Sequence, residues 1–201
     1  LENYLTTRRL MYWQVYLHKT AVAYEKVLVN MLNRAKYLAR NGQPVFASPA
    51  LSYFICNDVD APWFNSHEEA LQMYEELDDS DIWSAMKACK HADDKILSTL
   101  ATDMLDRRIF KVEVHEEPVS DARIDELQQQ LADKMNIAKA DAHYLMSLNT
   151  IQKDMYSVDD DSIDILYKDG SIKDISKASE ILNVALLSKK IRKYYLCYQR
   201  I

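Results

Sequence analysis

No proline or glycine interrupts the chain from Leu1 to Asn41. A stretch of that length without a breaker has few alternatives to helix, because glycine and proline are the residues that end or kink one. The sequence therefore predicts one long helix from Glu2 to about Arg40. Asn41-Gly42 stops it, a pair suited to the left-handed turn that closes helices. The scarcity holds throughout: Gly 2 and Pro 4 in 201 residues, against usual frequencies of about 7% and 5%. Long helices with few tight turns follow.

The chemistry of this helix concentrates in Thr7 to Thr20, TRRLMYWQVYLHKT. In an uninterrupted α-helix eleven residues make almost three whole turns. Arg8 and Lys19 then share a face, about 16 Å apart, with Tyr12 and Tyr16 between them at i+4 steps. Such a face grips an anion at either end and stacks a base or sugar in the middle. The plainer alternative is a packed tyrosine stripe with solvated cations.

Downstream, Pro44, Pro49 and Pro62 punctuate a connection from Gln43 to Asn65, with a short helical turn over Ala50–Ile55. Ser66 and Glu69 have capping-box spacing for a helix to about Leu77. Asp78-Asp79-Ser80-Asp81 opens the next, carrying Ile82, Trp83, Met86 and Cys89. A third follows His91-Ala92-Asp93, with Asp93 as its cap and Ile96, Leu97, Leu100, Met104 and Leu105 at helical spacing. At about residue 108 the pattern changes. Phe110 to His115 alternates as a strand does, Pro118 and Asp121 introduce a helix through Leu127 and Leu131, and Tyr144–Leu148 reads as a strand. Ile163–Tyr167 and Ile172 flank a Gly170 turn as a hairpin. Short helices follow near Ala178 and after Asn183, and Lys193–Tyr198 is a last aromatic strand. The fold class is mainly α followed by α+β: a long-helix bundle over 1–107, then a small α+β domain over 108–201 with a mostly antiparallel sheet.

A net charge of −6 speaks against a general nucleic-acid binder. No apolar run approaches the roughly 20 residues needed to cross a bilayer. Cys56, Cys89 and Cys197 are odd in number and far apart, the pattern of buried thiols in a reducing cytoplasm and not of disulfides or zinc. Five histidines are present, none followed by aspartate, and neither H-E-x-x-H nor a Cys/His cluster occurs, so no metal ligands are assigned in this chain. Asp159-Asp160-Asp161 lacks the glycine and closing glutamate of a calcium loop and reads as solvated.

Two motifs carry a resemblance. Arg8, Tyr16 and the pair His18-Lys19 fall as they do on the long helix that follows the catalytic core of HD-domain deoxynucleoside triphosphate triphosphohydrolases. Arg107-Arg108-Ile109-Phe110-Lys111 is similar to that family's Arg-x-Leu-Phe-Lys. The resemblance covers residues 1 to about 112, and Leu17 departs from the glutamine of the regulated mammalian relative. It implies that Arg8 contacts the substrate triphosphate and that Tyr16 lines the nucleotide pocket. It also implies that His18, Lys19, Arg107 and Lys111 approach a regulatory nucleotide site. The parent protein would hydrolyse a dNTP to deoxynucleoside and triphosphate with a divalent metal. Its His-Asp ligands would lie upstream of Leu1, in a cytoplasmic homo-oligomer with no membrane or specific nucleic-acid partner. Alone, the 201 residues would be a catalytically inactive C-terminal part supplying pocket, oligomerisation and regulatory elements.

A reading from another class is a non-enzymatic helical interaction module, favoured by the amphipathic helices and the lack of a complete catalytic set. A single-strand nucleic-acid binder ranks behind both, because the charge balance opposes it.

Overall fold

The computed structural model describes residues 2–153, 163–175 and 191–200. The helices near Ala178 and after Asn183, and the Asp159–Asp161 loop, lie outside the described residues. The first surprise is at the start. The unbroken stretch is two helices, α1 (Glu2–Met11) and α2 (Lys19–Arg40), separated by a π-helical turn, Tyr12–Tyr16, and by the non-helical Leu17 and His18. The expectation of one helix to Arg40 fails although no breaker is present. The segment Tyr12–Tyr16 holds aromatic and β-branched residue types, which fit an α-helix less well than alanine or leucine.

The other end of α2 follows the sequence. Gly42 takes φ +73, the Gln43 N–H donates to the Leu38 carbonyl at 3.0 Å and the Gly42 N–H to the Ala39 carbonyl at 3.1 Å. This pair of bonds is the Schellman closure. Between its ends α2 buries Ala23, Val27, Asn30, Met31, Arg34, Ala35 and Leu38, the three-and-four spacing of an amphipathic helix.

Five short helices follow: α3 (Pro49–Cys56), α4 (Ala61–Ser66), α5 (Glu68–Glu76), α6 (Asp79–Cys89) and α7 (Lys95–Leu105). Asp78 and Asp81 form the capping box of α6. The expected box at Ser66 and Glu69 does not form. Ser66 ends α4, its Oγ bonding back to the Pro62 carbonyl at 3.0 Å, and His67 takes the N-cap position of α5 without a side-chain bond. Asp94, not Asp93, caps α7, accepting the Leu97 N–H at 2.7 Å.

Strand β1 (Lys111–His115) and helix α8 (Asp121–Met135), capped by Ser120, fall where the alternation and Asp121 place them. Strand β2 (Met146–Lys153) starts two residues later than Tyr144, because Lys139–Leu145 is a 3₁₀ helix. Strands β3 (Asp164–Leu166) and β4 (Ile172–Asp174) form the antiparallel hairpin, with Leu166 opposite Ile172. Strand β5 (Ile191–Tyr198) lies between β1 and β2 in a three-stranded sheet. Tyr195, Leu196, Cys197 and Tyr198 are all buried, so the last turn of this strand is covered on both faces. Cys89 and Cys197 are buried thiols as expected, but Cys56 is exposed, because it ends the short helix α3.

The fold is thus a helical region followed by a small α+β part. Two compact units gather these elements. One contains residues 1–22, 113–119 and 148–196, the other residues 23–112, 120–147 and 197–201. Among the described residues no helix is long and apolar enough to cross a membrane.

Candidate functional site

Arg8 sits on the exposed side of α1, one turn before Tyr12. Its guanidinium carbon lies 5.9 Å from the centroid of the Tyr12 ring, within cation–π range. The Tyr12 and Tyr16 rings are 5.3 Å apart and tilted by 43°, and Tyr16 is 58% exposed. Arg8, Tyr12 and Tyr16 therefore make a surface ladder of one cation and two rings. The π-turn holds its upper end: the Leu17 N–H donates to the Tyr12 carbonyl, five residues back, at 2.8 Å. Turns of this kind recur at functional sites, where an extra residue re-aims side chains. The Leu17 carbonyl accepts the Tyr195 hydroxyl at 3.3 Å.

His18 and Lys19 do not extend the ladder. π-helical residues advance by less than 100° each, and the break at Leu17 and His18 ends the helix, so Arg8 and Lys19 lose the shared face that one continuous helix gives them. His18 caps α2 instead. Its Nδ1 accepts the Thr20 N–H at 3.2 Å, and its carbonyl accepts the Val22 N–H at 3.1 Å. One ring nitrogen is thus committed to structure. Lys19 is exposed on the first turn of α2.

Arg107 and Lys111 belong to the other compact unit. Arg107 closes α7 in the left-handed conformation, φ +58. The Arg108 N–H donates to the Asp103 carbonyl at 2.8 Å and the Arg107 N–H to the Met104 carbonyl at 3.4 Å, the same closure that Gly42 gives α2. Asn136 does this for α8, at φ +49. Glycine and asparagine tolerate the position, but an arginine there works against its own Cβ. Arg107→Gly is expected to raise stability by about 0.5–1 kcal/mol, read as a shift of the urea midpoint without a change in slope. Lys111 Nζ lies 5.3 Å from the centroid of the buried Tyr198 ring.

This chain resembles a phosphohydrolase. It is 53% identical to a phosphohydrolase from Bacteroides thetaiotaomicron VPI-5482 known from a crystal structure, with a TM-score of 0.93, over 99% of this chain and 49% of that one. It is also 28% identical over 190 residues to the uncharacterised protein YwfO of Bacillus subtilis (strain 168), covering 90% of this chain and 41% of the relative. No family model matches the chain. The chain spans about half the length of the first relative and about two fifths of the second.

Two polar clusters were missed in the sequence. The larger centres on Arg34, 6% exposed. Its Nε and Nη2 fork onto Asp94 at 3.1 and 2.7 Å, and its Nη1 donates to Asp141 at 3.0 Å. The rings of Tyr37 and Tyr144 lie 5.1 and 5.0 Å from the guanidinium carbon. One turn earlier, Asn30 Nδ2 donates to the carbonyls of Tyr144 and Met146, at 2.9 and 3.0 Å. The signal available was two polar residues at core positions of an apolar stripe. In sequence alone, an arginine four residues from an asparagine reads equally as a solvated edge. This network fixes α2 against the start of α7, the 3₁₀ helix and the start of β2.

The second is Asp103, 4% exposed on α7. Burial pushes its carboxyl up, as does the nearby Asp106, against the opposing pull of the Gln199 side chain and Arg108. Arg108 Nε is 3.4 Å from Asp103 Oδ1, while Asp103 Oδ2 and Gln199 Oε1 are buried without a hydrogen-bond partner. A raised carboxyl stabilises the fold fully below its unfolded value of about 3.9 and loses that contribution as pH rises through the folded value. Asp103→Asn keeps the neutral form at every pH. It should melt higher than the parent at pH 7, by roughly 2–4 °C for each 1 kcal/mol gained. The gap should close towards pH 4; a constant gap in a melting series would reject this account.

Among the described residues no group of three or more His, Cys, Asp or Glu is placed to hold a metal ion.

Proposed function

We propose that this chain is the C-terminal part of an HD-type phosphohydrolase whose parent cleaves deoxynucleoside triphosphates to deoxynucleoside and triphosphate. The observation that carries the reading is the 53% identity to a phosphohydrolase across 99% of the chain. Hydrolysis of a phosphoester is the coarse part; the dNTP substrate rests on the resemblance of Arg8, Tyr16 and Arg107–Lys111. The exposed ladder supports it. A planar guanidinium forks onto phosphate oxygens, and Tyr16 offers a ring face against which a sugar or base packs.

In this reading the divalent metal and its ligands belong to the parent outside these 201 residues, and the metal supplies Lewis-acid activation of water. This chain's own residues bind and orient: Arg8 the phosphates, Tyr16 the nucleoside end, Arg107 and Lys111 a second, regulatory anion. An arginine in the left-handed closing position of α7 favours such a role, since backbone conformations that cost energy cluster at functional sites. His18 and Lys19 are weaker candidates, because His18 is engaged in the cap of α2. The parent assembles as a homo-oligomer and works in the cytoplasm.

The test is the release of inorganic triphosphate from each dNTP by the full-length protein with Mg²⁺ or Mn²⁺. Triphosphate as the sole phosphorus product supports the reading. Release of orthophosphate or pyrophosphate keeps a phosphohydrolase and rejects the triphosphohydrolase. No turnover of any dNTP or simple phosphomonoester rejects both.

A further inference from the structure

Charge is distributed unevenly along the chain. Between Arg40 and Lys87 there are nine aspartates and glutamates and no lysine or arginine. All 25 cations, against only 22 of the 31 carboxylates, lie outside this segment. The segment contains α3, α4 and α5, all within one compact unit. Its surface is also aromatic. The rings of Phe54, Phe64 and Tyr74 meet pairwise, Phe54 to Phe64 and to Tyr74 at 6.4 Å and Phe64 to Tyr74 at 6.0 Å. Tyr74 is 60% exposed, Phe64 37% and Leu71 55%. Leu71 and Tyr74 are neighbours one turn apart on α5.

Beside this apolar patch is an open concavity of about 670 Å³, bounded by Glu68, Glu69, Glu75 and Leu71 among others. Its floor adjoins His67, stacked on Trp63 at 4.0 Å and 9°. Lys36 and Arg40 pair with Asp58 of this segment, but α5 itself carries Glu68, Glu69 and Glu75 and no lysine or arginine. An apolar anchor beside such a row of carboxylates is complementary to one kind of surface. We infer that the face formed by Phe64, Leu71, Tyr74 and the carboxylates of α5 docks a basic amphipathic helical segment of a partner protein. Apolar side chains of the segment cover the three rings, and its lysines or arginines meet Glu68, Glu69 and Glu75. A second copy of this chain is a poor occupant. A two-fold contact through this face brings the acidic row against itself, and like charges across an interface repel. Exposed aromatic and apolar side chains clustered this way mark interaction surfaces more often than idle ones.

The experiment uses the full-length protein and two fluorescein-labelled probes, a short amphipathic helical peptide of leucine and lysine and its glutamate-for-lysine counterpart, read by fluorescence anisotropy. The lysine peptide should bind and the glutamate peptide should not. Raising the salt should weaken binding. Tyr74→Ala should weaken it about tenfold or more, as should the combined Glu68→Gln, Glu69→Gln and Glu75→Gln change. A control that neutralises Asp121, Glu126 and Asp133 of α8 should leave it within about twofold, and circular dichroism should show all variants folded. Equal binding of the two peptides, equal loss in the α8 control, or no binding by the parent overturns the inference. Light scattering in which Tyr74→Ala converts a dimer to a monomer also overturns it, in favour of a second copy.

Discussion

Replacement of Arg34 by alanine will cost about 3–5 kcal/mol of stability, the usual penalty for removing one partner of a buried ion pair. The magnitude follows from what remains. Asp94 loses both prongs of a bidentate fork and Asp141 loses its 3.0 Å bond, while the adjoining rings of Tyr37 and Tyr144 lose the cation that lies against both. Arg34 itself is buried, and the half-buried Asp94 left without its counter-charge costs more than the methylenes removed with the arginine. Arg34→Lys should recover only part of this, since one ammonium cannot reproduce three directed bonds to two carboxylates.

Two further results separate charge from packing. Arg34→Met combined with Asp94→Asn and Asp141→Asn should be far less destabilised than Arg34→Ala, because replacing a whole buried ionic group by neutral side chains of similar volume is often close to neutral. Asn at 94 also retains an oxygen for the Leu97 N–H, so the cap of α7 survives. The acid limb of stability gives the second. Burial raises the Asp94 carboxyl, but hydrogen bonds from Arg34 and the Leu97 N–H outweigh it and hold the group below the usual carboxylate range. A depressed carboxyl stabilises the fold above its unfolded value of about 3.9, and that contribution is lost as pH falls through the folded value. The parent should therefore lose part of its stability below about pH 4, and Arg34→Ala should show a shallower loss there. If urea midpoints for parent and Arg34→Ala differ by less than the equivalent of about 1 kcal/mol, the network is incidental to the fold.

What the sequence made legible has a physical pattern. Local signals worked where the backbone itself decides. Asn41-Gly42 closes α2 because glycine reaches φ +73 without strain, and Asp78 with Asp81 caps α6 through two reciprocal bonds. The alternation from Lys111 to His115 and the Gly170 hairpin behaved the same way. Signals failed where distant parts of the chain arbitrate. No proline or glycine breaks the first helix at Leu17; an aromatic and β-branched run only weakens it, and the carbonyl freed there meets the hydroxyl of Tyr195, far along the chain. The insertion of β5 between β1 and β2 is a pairing choice that no window of sequence contains. At the candidate site, half of the proposed stripe was readable: the i+4 spacing does bring Arg8, Tyr12 and Tyr16 together. Lys19 fell away because its place depended on an assumption of uniform helical geometry over eleven residues, and a single π-turn removes that. Arg34 and Asn30 escaped notice for the opposite reason. Their meaning lies in Asp94, Asp141 and Tyr144, partners that only the folded chain supplies.

In the full-length protein, Arg8→Ala should lower kcat for the hydrolysed nucleotide by about 10²–10³-fold with KM little changed, the range for removing a directed donor from a developing phosphate charge. The side chain is exposed on α1, so thermal stability should move by less than about 0.5 kcal/mol, and loss of activity then cannot be ascribed to unfolding. Arg8→Lys should restore only a small part, because a point charge does not fork onto two oxygens. Tyr16→Ala should act differently. Stacking on an aromatic face contributes about 1–3 kcal/mol per base and acts on ground state and transition state alike. Its loss should therefore raise KM about tenfold with kcat little changed. Tyr16→Phe, which keeps the ring, should stay near the parent. The contrast between a kcat effect at Arg8 and a KM effect at Tyr16 assigns the two ends of the ladder to phosphate and nucleoside. Full activity in Arg8→Ala would leave a phosphohydrolase whose phosphate site lies elsewhere, and would reduce the ladder to a packed surface of α1.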